Sequence, residues 1–95
     1  MFSPERTEQN TAVFTIQAAA DPGVLPETVG LFAKHGLVPS RWVGNTHALD
    51  TRLFLTIEVD GMADDAARRI ATGLRRIMCV ETVVTEWRVL AARQA

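Results

Sequence analysis

The sequence predicts an α+β domain in which a four-stranded antiparallel sheet, in the order 4-1-3-2, carries two helices on one face. Three observations predict it. Some stretches alternate apolar and polar residues with a period of two, others place apolar residues at helical spacing, and the turn residues between them set the order βαββαβ. Right-handed crossovers lead from that order to that sheet, an arrangement known as the ferredoxin-like sandwich.

The elements follow in chain order. Val13 to Ala18 sets Phe14, Ile16 and Ala18 on one face and Val13, Thr15 and Gln17 on the other, which is a strand. From Val24 to His35 the period becomes helical: Leu25, Val29, Phe32 and Ala33 form one stripe, with Glu27, Thr28 and Lys34 off it. Pro26 is tolerated only in a first turn, so this helix starts near Gly23 or Val24, and Gly36 stops it at the left-handed position after the last turn. Leu37 to Gly44 is extended, and Pro39, which cannot donate to a ladder, places this second strand at a sheet edge or marks a bulge in it. Asn45 to Asp50 is a turn. Arg52 to Val59 has the cleanest alternation in the chain, with Leu53, Leu55, Ile57 and Val59 opposed to Arg52, Phe54, Thr56 and Glu58, and reads as a central strand. Beyond Asp60-Gly61, the residues Ala63, Ala66, Ala67, Ile70, Leu74, Ile77 and Met78 form a second helical stripe. Asp64 and Asp65 open it and Arg75 and Arg76 close it, as the helix dipole favours, with Asp64–Arg68 and Asp65–Arg69 at ion-pair spacing. Val80 to Val89 is the last strand. Residues 1–10 and 91–95 read as polar or frayed tails around a domain at 11–90. Leu25, Val29, Phe32, Leu53, Leu55, Ile57, Ile70, Leu74 and Ile77 are the expected core. The helix-free face should carry Val13, Phe54 and one of Trp42 and Val43, an apolar set that invites a covering partner.

Composition narrows the function. A chain of 95 residues supports one domain with one core, burying roughly 60–68% of its unfolded surface. Its net charge of −1, with both signs interspersed, lacks the footprint of a nucleic-acid binder. A lone cysteine, Cys79, allows neither an internal disulfide nor a C-x-x-C motif and suits a reducing cytoplasm. No stretch approaches the ~18 apolar residues of a membrane span, and the first residues show no secretory apolar region. No motif calls for a metal or another cofactor. The third strand, R-L-F-L-T-I-E-V, lacks the glycines of an RNA-binding signature. His35 and His47 have no second ligand nearby in sequence, no serine sits in a nucleophile context, and Cys79 reads as a small buried hydrophobe.

Two features remain. The run Asp21-Pro22-Gly23 opens the first helix straight after a strand, leaving the N–H groups of Gly23, Val24 and Leu25 free at a helix start that favours a carboxylate or phosphate. Asp21 reads equally as a receiver for a ligand's ammonium group or as the cap of the helix. Gly30, in mid-helix, costs roughly 0.5–1 kcal/mol against alanine, so it marks either a close helix contact or a tolerated neutral position.

The run Pro22-Gly23-Val24-Leu25, then Val29-Gly30-Leu31-Phe32-Ala33, then His35-Gly36-Leu37, resembles the first β-α-β unit of ACT domains, above all that of acetolactate synthase small regulatory subunits. The resemblance covers roughly residues 12 to 88. It implies a non-catalytic regulatory protein of amino-acid metabolism that binds a small effector, a branched-chain amino acid foremost, between the first strand and the first helix. On this chain that site comprises Ala20, Asp21, Pro22, Gly23, Val24 and Leu25, with Val38 from the second strand. The family also implies a homodimer through the second-strand edge, here Leu37, Val38, Ser40 and Trp42, and a catalytic large subunit as a further partner. Two positions depart from the family pattern. Ala20 stands where Asn or Asp is usual, shifting the carboxylate by one to Asp21, and Val38 replaces a ligand-side Asn. The alternative reading is therefore an interaction module that dimerises and docks while its effector pocket has degenerated.

Overall fold

The computed structural model describes residues 10–47, 49 and 51–89. They form β1 (Asn10–Ala19), α1 (Val24–Lys34), β2 (Arg41–His47), β3 (Arg52–Asp60), α2 (Asp64–Arg75) and β4 (Val80–Val89). The strands pair antiparallel in the order β2-β3-β1-β4, the expected order read from its other edge. Both expected tails lie outside the described residues except for Asn10, which opens β1, and the turn after β2 is described only in part.

The alternation in the central strands decides which face is covered. Phe14 sits opposite Ile57 and Ile16 opposite Leu55, and all four are essentially inaccessible to solvent. Against them α1 contributes Val24, Thr28 and Phe32, and α2 contributes Ala67, Ile70, Ala71 and Leu74. Phe32 presents an edge to Phe14 at 5.8 Å and to Trp42 of β2 at 6.2 Å between ring centroids. These edge-to-face pairs place α1 over the β2 side, whereas α2 packs over β4.

Gly36 ends α1 with φ +71°. Its N–H donates to the Ala33 carbonyl and that of Leu37 to the Phe32 carbonyl, both at 2.9 Å, which is a complete Schellman closure.

Several expectations need correction. Leu25 and Val29 are 41% and 51% exposed: the buried stripe of α1 is rotated by about 70–100° and runs through Val24 and Thr28 instead. Thr28 tolerates burial because its hydroxyl donates to the Val24 carbonyl at 2.7 Å. Ala33 is exposed as well. The second helix ends at Arg75, so Ile77 and Met78 lie in the following turn. Ile77 is only partly buried there and Met78 is 81% exposed. The second strand begins at Arg41, leaving Leu37, Val38 and Ser40 in the segment before it, and continues to His47. Trp42 pairs with Ile57 and therefore belongs to the helix-covered face, where it is half-buried. Gly30 makes no close helix contact, since a Cβ there would meet nothing within 4 Å.

The helix-free face carries Val13, Phe54 and Val43, as expected, and beside them a charged clamp. Glu58 of β3, only 9% exposed, accepts two hydrogen bonds from the Arg88 guanidinium of β4, at 2.9 and 3.2 Å. Arg41 of β2 approaches the same carboxylate at 3.8 Å. Both edge strands are thus tied to a central one, across β1 in the case of Arg88.

Truncating Phe32 to alanine should cost about 3–5 kcal/mol of stability, because it empties the place where α1 meets Phe14 of β1 and Trp42 of β2. Met78→Ala should change stability by less than about 0.5 kcal/mol. Urea denaturation of both variants checks the assignment.

Candidate functional site

The chain leaves β1 through a short loop that is held from two sides by backbone hydrogen bonds. Ala19 N–H donates to the Cys79 carbonyl at 2.9 Å, and Ala20 N–H donates to the Thr51 carbonyl at 3.0 Å. Cys79 precedes β4 and Thr51 precedes β3. These two acceptors are also the non-glycine residues with positive φ, at +79° and +49°. Left-handed backbone at a cysteine and a β-branched threonine costs on the order of 1–3 kcal/mol each, and such strain persists only where surrounding structure holds it. The β1–β4 ladder slips by one residue at Gln17/Ala18, directly beside the loop. An ion pair between Arg52 and Glu81 joins the starts of β3 and β4.

Asp21 organises the next turn. Its Oδ1 accepts the Gly23 N–H at 2.8 Å and its carbonyl accepts the Val24 N–H at 3.0 Å. Two of the three donors expected to be free are therefore occupied from within the loop. Gly23, not Asp21, is the N-cap, and no side chain caps the helix; the Asp21 carboxylate instead forms an Asx turn just before it. The other carboxylate oxygen, Oδ2, lies 3.8 Å from the Cys79 sulfur, placed to accept from the thiol. Burial pushes the Cys79 thiol pKa up, and the Asp21 carboxylate pushes it further. The thiol therefore keeps its proton at neutral pH and serves as a donor.

The expected site residues are brought together only in part. Ala20, Asp21, Pro22, Gly23 and Leu25 form an exposed corner. Val24 offers backbone alone, because its side chain is in the core. Val38 does not join them. The loop follows Ala19, at the sheet end where Ala19 faces Arg52 and Arg52 faces His47, whereas Ser40 binds the Glu58 carbonyl toward the opposite end. The helix between them runs about 16 Å away from the loop. Thr51 and Cys79 are the loop's neighbours that sequence reasoning missed. Nothing in either residue type signals a positive φ.

The same helix exposes two unlike flanks. Leu25 and Val29, one turn apart, lie on the side away from α2 and hence toward the β2 edge, whereas Leu31 and Lys34 lie on the side toward α2. Val38, before β2, is also 85% exposed.

Comparison with known proteins gives one family. A family profile described as ACT-like domain matches residues 5–93. The ACT domain of GTP pyrophosphokinase from Chlorobium tepidum superposes with a TM-score of 0.69 at 20% identity, covering 80% of this chain and 96% of that one. The C-terminal domain of the MgtC protein from Mycobacterium tuberculosis gives 0.64 at 14% identity, covering 86% and 88%. The regulatory subunit of aspartate kinase from Thermus flavus gives 0.59 at 14% identity, covering 82% of this chain and 51% of that one. No curated protein matches the sequence.

Removing the turn lock with Asp21→Ala should lower stability by about 1 kcal/mol, while Asp21→Asn keeps the acceptor and most of that stability. The raised thiol pKa means that Cys79 alkylation at pH 7–8 runs slower than that of an unstructured thiol, and that Asp21→Asn accelerates it. Denaturant melts and timed iodoacetamide labelling measure the two effects.

Proposed function

The chain belongs to the ACT-like domain family, and from that premise we propose that it is a non-catalytic regulatory module that binds a small amino-acid effector at the β1–α1 loop. ACT domains are regulatory, ligand-binding modules, and the loop is gripped by two strained residues of the neighbouring turns. The observation that carries the reading is the pair of left-handed residues, Thr51 and Cys79, whose carbonyls grip Ala20 and Ala19. Strain held at one exposed corner by two other strands is a usual sign of a pre-organised site.

Binding would proceed as an exchange. The effector's carboxylate takes the Gly23 N–H and the helix N-terminus, and the released Asp21 carboxylate takes the effector's ammonium. Both groups are exposed, so the exchange costs little desolvation. The Leu25 side chain, at the loop's rim, suits an aliphatic body and favours a branched-chain amino acid.

The second element of the proposal is a homodimer through the β2 edge. An unpaired edge strand beside exposed Leu25, Val29 and Val38 supports it. A two-fold axis that pairs β2 antiparallel with its copy brings the start of one β2 beside the end of the other. The second copy's Val38 and Ser40 would then approach the loop that this copy's own Val38 cannot reach. Leu37 and Trp42 would line the same seam from its helix side. The finer form of the proposal is a small regulatory subunit of acetolactate synthase, with the catalytic large subunit as further partner.

One observation favours the alternative of an interaction module with a degenerate pocket: Asp21 already occupies the Gly23 donor, and neither Ala20 nor Val38 offers a polar side chain. Calorimetry with valine, leucine and isoleucine separates the two. The regulatory reading expects weak binding by the parent and its loss in Gly23→Asp, where a second carboxylate stands at the effector's place. An absence of heat with all three amino acids leaves the interaction module. For the dimer, Val29→Lys should convert a species of twice the chain mass to the monomer in light scattering; a monomeric parent at micromolar concentration overturns the interface.

A further inference from the structure

On the surface away from the sheet, α1 and α2 leave a groove of about 540 Å³ between them. Its floor is Leu31, seated so closely on Gly73 that a Cβ there would come within 3.0 Å of both Leu31 methyl groups. Its walls carry four cations, Lys34 from α1 and Arg68, Arg69 and Arg76 from the α2 segment, with His35 at the rim, and no carboxylate lines it. The groove continues past Gly30 toward Glu27, over the open space that the missing Gly30 side chain leaves. In a chain of net charge −1, four cations converge on this groove, and two of them, Lys34 and Arg76, have no carboxylate partner among the described residues.

Ordinary roles do not use these charges up. The carbonyls at the end of α1 already receive the N–H groups of His35, Gly36 and Leu37, and those of Gly73 and Leu74 receive Arg76 and Ile77. Lys34 and Arg76 are not needed as caps, and among the described residues neither forms an ion pair. Arg68 and Arg69 lie one turn into α2, each four residues after an aspartate of its first turn. Their pairs with Asp64 and Asp65, at 2.6 and 3.6 Å, are well exposed, so a multivalent anion can compete for them.

We propose that this groove binds a small molecule carrying two or more phosphates on an apolar body. Three guanidinium forks and one ammonium match phosphate oxygens, and guanidinium does so in bidentate fashion. Leu31, bared between two glycines, offers the apolar body its contact. The volume lies within the range of about 300–1,000 Å³ usual for small-ligand sites. A helical peptide would need a series of apolar anchors along the groove, and Leu31 alone supplies one. The site shares no residue with the β1–α1 loop, so it stands or falls separately from the effector reading.

The test is amide-shift mapping of the whole chain titrated with ATP as probe, with inorganic pyrophosphate, adenosine and an oligoglutamate peptide alongside. The expected result is saturable shifts centred on Leu31, Lys34, Thr72 and Gly73, weaker binding of pyrophosphate and none of adenosine. Lys34→Glu combined with Arg76→Glu, both at exposed positions, should leave the melting temperature unchanged and weaken ATP binding by about tenfold or more. Several results overturn the proposal: no shifts, shifts centred on Asp21 to Leu25, pyrophosphate as tight as ATP, or displacement of ATP by the peptide, which would assign the groove to an acidic protein segment.

Discussion

A sheet that is covered on one face only imposes the constraint on which the rest of this molecule depends. β1 and β3 must present an unbroken apolar row to the helices while the residues between face an open side. Phe14, Ile16, Leu55 and Ile57 meet the first demand. On the other side the strands mix Val13 and Phe54 with Glu58, Thr56, Thr15 and Gln17, and the carboxylate that becomes buried there, Glu58, is matched by two arginines. A buried carboxylate left without partners would cost several kcal/mol, so the three residues belong together. The helices need little individual stability: α1 is short and interrupted by Gly30, and it is held by Phe32 against two strands.

The loop after β1 is where three chain segments constrain each other. Ala19 and Ala20 are tied to the starts of β4 and β3, Asp21 is tied to the first turn of α1, and the Cys79 thiol closes the circuit back to Asp21. A ligand that takes any one of these partners changes the loading on the others. Displacement at this corner reaches both an edge strand and a central strand without any long pathway, and that short circuit is the physical content of a regulatory role. The groove between the helices sits on the opposite layer and senses α1 and α2 instead.

Much of this was legible in the sequence, for identifiable reasons. The alternation at Arg52 to Val59 has one solution, and every residue in it faces as expected. Gly36 was legible as a helix stop because only glycine takes that conformation without cost. The failures are equally specific. Sorting α1 by polarity excluded Thr28, yet its hydroxyl bonds back to the helix and buries without penalty, so the whole stripe was rotated. Whether Trp42 or Val43 faces away from the helices stayed open because one residue of register exchanges the faces of a strand, and the structure places Val43 there. The loop at Asp21 to Leu25 was legible as a segment, whereas the Asx turn that takes the Gly23 N–H depends on a side-chain rotamer that no pattern encodes. Thr51 and Cys79 were invisible, since strain at residues other than glycine is set by what surrounds them.

The clamp on the bare face also bears on how this chain keeps itself separate from its neighbours in a crowded solution. A sheet with two free edges and one uncovered face is a template for endless addition of strands. Here Arg41 stands on one edge strand and Arg88 on the other, each folded inward over the face to Glu58. A foreign strand approaching either border, or a second sheet stacking on the face, meets a fixed guanidinium that it must strip of its partner or its water. Assembly is thereby rationed: association that leaves the arginines in place is allowed, and open-ended fibre growth is penalised at both borders by a single carboxylate.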